Sequence, residues 1–310
     1  MNRTKKDYLL IMLKGLAMGA ADVVPGVSGG TIAFISGIYE ELLNSISGIT
    51  LSLFKTLKNQ GFKTAWKQLN GNFLASLFIG MFISILSLAK VISWLLVSHP
   101  ILLWSFFFGL VLASIIYIAK QITNWNFIAI ILLIIGGILA YYITTLNPLI
   151  AENSSTIFMF LAGAIAICAM ILPGISGSFI LVLLGAYKPV LSAINTRDYT
   201  TIMAIGFGAI VGLLSFSRLL KYLFAHYKNY TLAVLTGFII GSLNKIWPWK
   251  KVLTFRTNSH GEKVPFNELS VSPFSFDGNP QIMYACLLAI FGFSLILILE
   301  KLAVKSHQKD

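Results

Sequence analysis

Charge is scarce in this chain. Only 11% of its 310 residues are Asp, Glu, Lys or Arg, where a soluble domain carries about 25%. Acids are the scarcer kind, 11 against 23 basic residues, for a formal net charge of +12. Cysteine is nearly absent. Cys168 and Cys286 stand far apart in apolar runs. That spacing excludes a CxxC metal or redox motif and leaves two small packing residues. No GxxxxGK(S/T) sequence occurs, so a P-loop nucleotide motor is excluded. The four histidines, His99, His226, His260 and His307, fall in loops, at helix ends or in the tail.

What the chain has in quantity is apolar sequence, 57% of all residues, with a mean hydropathy of +0.83. It comes in long runs, at 73–89, 101–119 and 127–142. A helix needs about 20 largely apolar residues to cross a bilayer. A soluble fold of this composition would expose too much apolar surface. The expected fold is an all-α polytopic membrane protein forming a single integral membrane domain. In that setting the net charge points to basic loops facing anionic lipid, and no nucleic acid is expected. The first residues imitate a signal peptide, with Arg3, Lys5 and Lys6 before an apolar run. Lys14 interrupts that run and the segment has an internal copy, so it is expected to remain in the mature protein.

Two short stretches, PGVSGG at 25–30 and PGISGS at 173–178, break the apolar runs. Residues 15–46 align with 163–194 without a gap, pairing Gly15 with Gly163, Pro25 with Pro173, Gly26 with Gly174, Ser28 with Ser176, Gly29 with Gly177 and Tyr39 with Tyr187. A second register pairs Gly80 with Gly208, Gly109 with Gly237, Ser114 with Ser242, and Lys90 with Arg218. The chain thus reads as two copies of one unit, 8–120 and 156–247. Each copy is a broken, re-entrant hairpin (8–46; 156–194) followed by two spanning helices (72–97 and 101–120; 201–225 and 230–247). A linker helix at 126–147 and a C-terminal helix at 281–300 complete the chain. The single linker crossing turns the second copy over, so inverted repeats are expected. Lys55, Lys58, Lys63, Lys67, Lys120 and Lys228 then share one side with both termini, which predicts cytoplasmic ends. The 248–280 segment dissents: it falls outside yet carries Lys250, Lys251, Arg256 and Lys263.

Proline removes a backbone donor and glycine loosens a helix. In hydrocarbon such a break is tolerated only where it is buried in protein or lines a cavity. Half-helices capped by Ser28 and Ser176 would offer free N–H groups and a positive dipole end to an anion. Two such ends meeting at the bilayer middle is the arrangement in which secondary transporters hold substrate. The expected anion-binding set is Gly26, Ser28, Gly29, Gly30 and Thr31, then Gly174, Ser176, Gly177 and Ser178, with the matched cations Lys90 and Arg218. The competing readings are kinks for close packing and cations that snorkel to the interface. Asp22 stands before the first break, where the second copy has Met170. It is expected to carry protons or to serve as a counter-ion. Tyr39, Tyr187, Trp94 and Trp104 suit an interfacial aromatic belt. No metal and no cofactor are expected.

The stretch GLAMGAADVVPGVSGGTIAFISGIYEEL, with the later LPGISGSFILVLLGAY, resembles the bacterial polyprenyl-phosphate transporters over essentially the whole chain. The family motif maps onto Asp22, Pro25, Gly26, Ser28, Gly29, Gly30 and Thr31, and onto Pro173, Gly174, Ser176 and Gly177. The resemblance implies a multi-pass protein of the bacterial plasma membrane. It would return undecaprenyl phosphate, one phosphate on a long polyprenyl tail, to the cytoplasmic leaflet for peptidoglycan and teichoic-acid synthesis. Half-helix donors with Lys90 and Arg218 would hold the head while the tail trails into membrane lipid. Rocking of one repeat against the other would exchange access. Drive would come from a proton or sodium gradient, or from consumption of the lipid. A transporter of another anionic lipid or of a small anion stays open. An intramembrane serine protease is the enzymatic rival, because Gly26 to Gly30 satisfies GxSxG. A serine nucleophile needs a base, however, and the histidines are poorly placed to supply one. No enzyme is expected.

Overall fold

The computed structural model describes residues 3–24, 27–146, 155–257 and 263–307. Two residues expected at the first break, Pro25 and Gly26, lie outside the described residues, as does the 147–154 segment. The first hairpin is α1 (Lys5–Val23), α2 (Gly29–Ile35) and α3 (Tyr39–Ser47). Two short helices follow, α4 (Leu51–Gln60) and α5 (Phe62–Gln68), and then three long ones, α6 (Gly71–Ser98), α7 (Pro100–Lys120) and α8 (Phe127–Thr145). The second hairpin is α9 (Thr156–Ile171), α10 (Gly177–Leu183) and α11 (Tyr187–Thr196). It leads into α12 (Tyr199–His226), α13 (Lys228–Ser242), a 3-10 turn (Leu243–Ile246), a β-hairpin and finally α14 (Ile282–His307). Among the described residues four helices are long and apolar enough to cross a membrane, α6, α7, α8 and α12. The pair α10 and α11 is a further apolar segment bent by 102°. The protein is a largely helical, multi-pass membrane protein.

The breaks form for local reasons that recur at the same offsets. Ser28 accepts from the Gly30 N–H and starts α2, and Ser176 accepts from the Phe179 N–H and starts α10. Both half-helices end on a left-handed glycine, Gly37 and Gly185, each at φ 72°. Gly37 donates to Phe34 and Ile38 to Ala33; Gly185 donates to Val182 and Ala186 to Leu181. This is one Schellman closure written twice. It holds each half-helix to seven residues.

Backbone contact through glycine sets the packing of the long helices. A Cβ on Gly15 would meet the Leu77 carbonyl and one on Gly80 the Met12 carbonyl, which brings α1 against α6. The corresponding residues do the same between α9 and α12, Gly163 against Ile205 and Gly208 against Phe160. The last helix of each half crosses over. Gly109 and Gly292 seat α7 on α14, at Ala289 and Phe106, while Gly237 and Gly136 seat α13 on α8, at Leu133 and Val234. The helices expected to be a mere linker and a terminal addition therefore hold matching places, each clasped to the other half of the chain.

The 248–280 segment is not plain loop. It folds into antiparallel strands β1 (Lys250–Thr257) and β2 (Lys263–Ser270), with an irregular register near Val252 to Phe255. The β-branched and aromatic content of residues 250–257 suits a strand. The helical periodicity sought along the chain gives no sign of it.

Candidate functional site

The two breaks touch. Ser28 Oγ lies 3.4 Å from the Met170 carbonyl and 3.3 Å from that of Leu172, and donates toward them. The Gly174 N–H donates to Thr31 Oγ1 at 3.0 Å. The Tyr39 hydroxyl donates to the Ile171 carbonyl at 3.0 Å. A Cβ on Gly30 would stand 2.8 Å from that same carbonyl, so only glycine admits this approach. Carbonyls and a donor freed by the second break are thus satisfied by side chains of the first. Ser28 and Thr31 are both 1% exposed, and Ser176 is buried beside Pro173 and Gly174. Gly174 adopts φ 92° and packs on Ser242 and Ile239 of α13.

The two half-helix starts differ in charge. The Gly29 N–H donates to Asp22 Oδ1 at 2.7 Å, and a Cβ on Gly29 would lie 2.5 Å from that carboxylate. Asp22 therefore already occupies the start of α2. Met170 takes its place in the second copy, and no described residue accepts from the N–H of Gly177 or Ser178. Ser178 is exposed, with its Oγ 3.2 Å from Ser176 Oγ. The second break is the one that presents donors without a competing carboxylate.

Residues 18–264 match the family model described as undecaprenyl phosphate translocase-like. The chain belongs to that family. A protein of Vibrio cholerae named polyprenyl-phosphate transporter is 52% identical over 303 residues, covering 96% of this chain and 98% of its own. One of the same name from Staphylococcus aureus is 36% identical over 258 residues, covering 76% of this chain and 85% of its own. No solved structure matches the chain significantly. The family and its named relatives are transporters, and the protein is not an enzyme.

In this translocase-like chain the two matched cations are not seen at the breaks. Arg218 donates from its guanidinium to the Ile49 carbonyl at 2.9 Å, just beyond α3. Lys90 is exposed on α6. Tyr39 and Trp104 are buried, at 3% and 8% exposure, and do not form an interfacial belt. Their polar or π surface is used inside the protein, as the Tyr39 strut shows. Trp94 is exposed, as a belt requires.

Two other cations lie closer to the second break, Lys250 from the dissenting 248–280 segment and Lys245 from the end of the span expected at 230–247. The Lys245 ammonium sits 4.9 Å over the ring of Phe179, three residues past the Ser176 cap. Lys250 sits 4.0 Å over Trp104, donates to the Lys245 carbonyl at 2.8 Å and pairs with Glu268 at 3.5 Å. Burial pushes Lys250 down from 10.5 to about 8; Glu268 opposes the shift and Lys245 adds to it. Burial also lowers Lys245, again opposed by Glu268. The sequence signal was a lysine pair threaded through three nearby aromatic or proline positions, Trp247, Pro248 and Trp249.

Proposed function

We propose that the protein translocates undecaprenyl phosphate across the bacterial plasma membrane and returns it to the cytoplasmic leaflet for cell-wall polymer synthesis. The observation that carries this reading is the direct hydrogen bonding of the two breaks, Ser28 and Thr31 to Met170, Leu172 and Gly174. A translocase needs a polar place deep in hydrocarbon where a phosphate exchanges water for fixed donors. Family membership and two transporter relatives, one nearly full length, point to the same cargo.

In this reading Ser176, Gly177 and Ser178 receive the phosphate, while Ser28, Gly29, Gly30 and Thr31 form the wall that fixes the second break. Asp22 answers to protons: while charged it holds the first half-helix and repels a second anion. Lys90 and Arg218 act at the two ends of the path. Arg218 holds the end of α3 in this conformation, and Lys90 takes the matching role in the other. The halves 8–120 and 156–247 are inverted repeats with both termini cytoplasmic, and exchange of their hairpin contacts gives alternating access. The recurrence of half-helix bounds, glycine closures and helix contacts at constant offsets supports that symmetry.

The test is a leaflet assay of undecaprenyl phosphate in proteoliposomes, with and without an imposed pH gradient. Movement of the lipid to the opposite leaflet is expected, and Asp22→Asn should retain movement but lose its response to the gradient. A protein that moves no phosphorylated polyprenol under any gradient would refute the reading.

A further inference from the structure

The β-hairpin covers a buried basic cluster that the breaks alone do not explain. Lys250 has a side chain only 8% exposed, and its carboxylate partner Glu268 is 24% exposed. Lys245 adds a second ammonium, placed over Phe179 rather than in an ion pair. Among the described residues the cluster holds two cations and one carboxylate. Its other charged neighbour, Lys251, points its contact elsewhere, 3.4 Å from the exposed Asp277. Buried charge of one sign is costly without a counter-ion. The frame around it is stiff: Trp247 donates to the Val271 carbonyl at 2.8 Å, Trp249 donates to that of Pro280 at 2.9 Å, and Trp247 packs on Phe108. Ser270 ties β2 to the Asn244 carbonyl at 3.1 Å. Such anchoring fixes the lysine stems, while the 3.5 Å contact to Glu268 is long for a charge-assisted bond.

We propose that Lys245 and Lys250 form an anion station next to the second break that binds a phosphate monoester, with Glu268 as the carboxylate it displaces. The inference rests on the transport reading for the identity of its natural ligand, a lipid head. The chemistry itself requires only a phosphate with one esterified or free oxygen. A dianionic phosphate between two ammonium groups converts a surplus cation into a matched set, and the aromatic rings exclude competing water. Lys245 lies against the residue that follows the Ser176–Ser178 donors. A head bound at the station is therefore one step from the break, and the hairpin acts as its roof.

The experiment uses the full-length protein in nanodiscs. Undecaprenyl phosphate binding is read by native mass spectrometry against a neutral polyprenol, and inorganic phosphate binding by calorimetry. Lys245→Gln should weaken both by about tenfold or more, the scale of one lost charge-assisted hydrogen bond. Lys245→Arg should restore most of the loss, and Glu268→Gln should tighten binding by removing the competitor. Equal lipid affinity in wild type and Lys245→Gln would sink the station and leave the transport reading intact. Lysine-dependent binding of inorganic phosphate without any preference for the phosphorylated lipid would keep the station and sink the assigned cargo. Should Lys245→Gln fail to fold, Glu268→Gln decides alone: weaker binding overturns the proposal.

Discussion

Thr31 is the residue on which the junction turns. Its hydroxyl accepts the buried Gly174 N–H, a donor that glycine exposes at a left-handed bend. Valine has the same shape and no acceptor, so Thr31→Val isolates the hydrogen bond. An orphaned buried donor costs about 1–3 kcal/mol. Unfolding in mixed micelles should show a loss of that size, together with slower lipid movement in proteoliposomes. Full stability in the variant would mean that Gly174 has another acceptor. The sequence named Thr31 through its place in a motif, but as a phosphate ligand. Its partner was invisible because the contact joins residues 143 apart, and no local pattern encodes that pairing. Asp22 was legible as an exception to the duplication, and the exception proves electrostatic: one half-helix start is anionic and the other is not.

Among the elements, the half-helices were the easiest to read. Pro-Gly before a capping serine marks the starts of α2 and α10 without tertiary information. The closing glycine nine residues after each serine marks the ends, and the structure stops α2 at Ile35, before the Glu40 and Glu41 at which the sequence reading ended it. The β-hairpin was the hardest. The alternation along strands β1 and β2 is weak and their register slips, so composition suggested only a basic loop on the wrong side. The structure gives one of those charges a reason, since Lys250 is enclosed rather than displayed to lipid headgroups. This has a pH consequence. Lys250 sheds its proton near pH 8 when folded and near 10.5 when unfolded. Between those values the unfolded chain binds more protons, so this group makes stability rise with pH. Lys245, also lowered by burial, adds in the same direction. Thermal midpoints measured in detergent from pH 7 to about 10 should reveal that rise, and Lys250→Met should reduce it. An identical slope in the variant would place the titration elsewhere.

On the scale of the whole molecule, the hairpins are engaged unequally. The first is bound to the opposite half by Ser28, Tyr39, the Ile49 carbonyl and the ion pair of Glu40 with Lys228 at 2.8 Å. That ion pair is half exposed on both sides and adds little stability itself. It does mark where α3 meets the start of α13. A Glu40→Cys, Lys228→Cys pair, in a background with Cys168 and Cys286 replaced, should form a reducible cross-link with a bis-methanethiosulfonate reagent long enough to span the two side chains it replaces. Transport should stop when it forms and return on reduction, while lipid binding survives. Continued transport in the cross-linked protein would show that this contact stays closed throughout the cycle.

The crossed placement of α8 and α14 has a consequence for how such a chain holds together. Each half lends its final helix to the other, like two people linking arms, so a cut between α8 and α9 severs a joint but frees neither partner. Fragments ending before residue 147 and beginning after 154 should co-assemble when made together and fail when made singly. The covalent tether is then a convenience of synthesis, and the true boundary of the folded unit is the embrace.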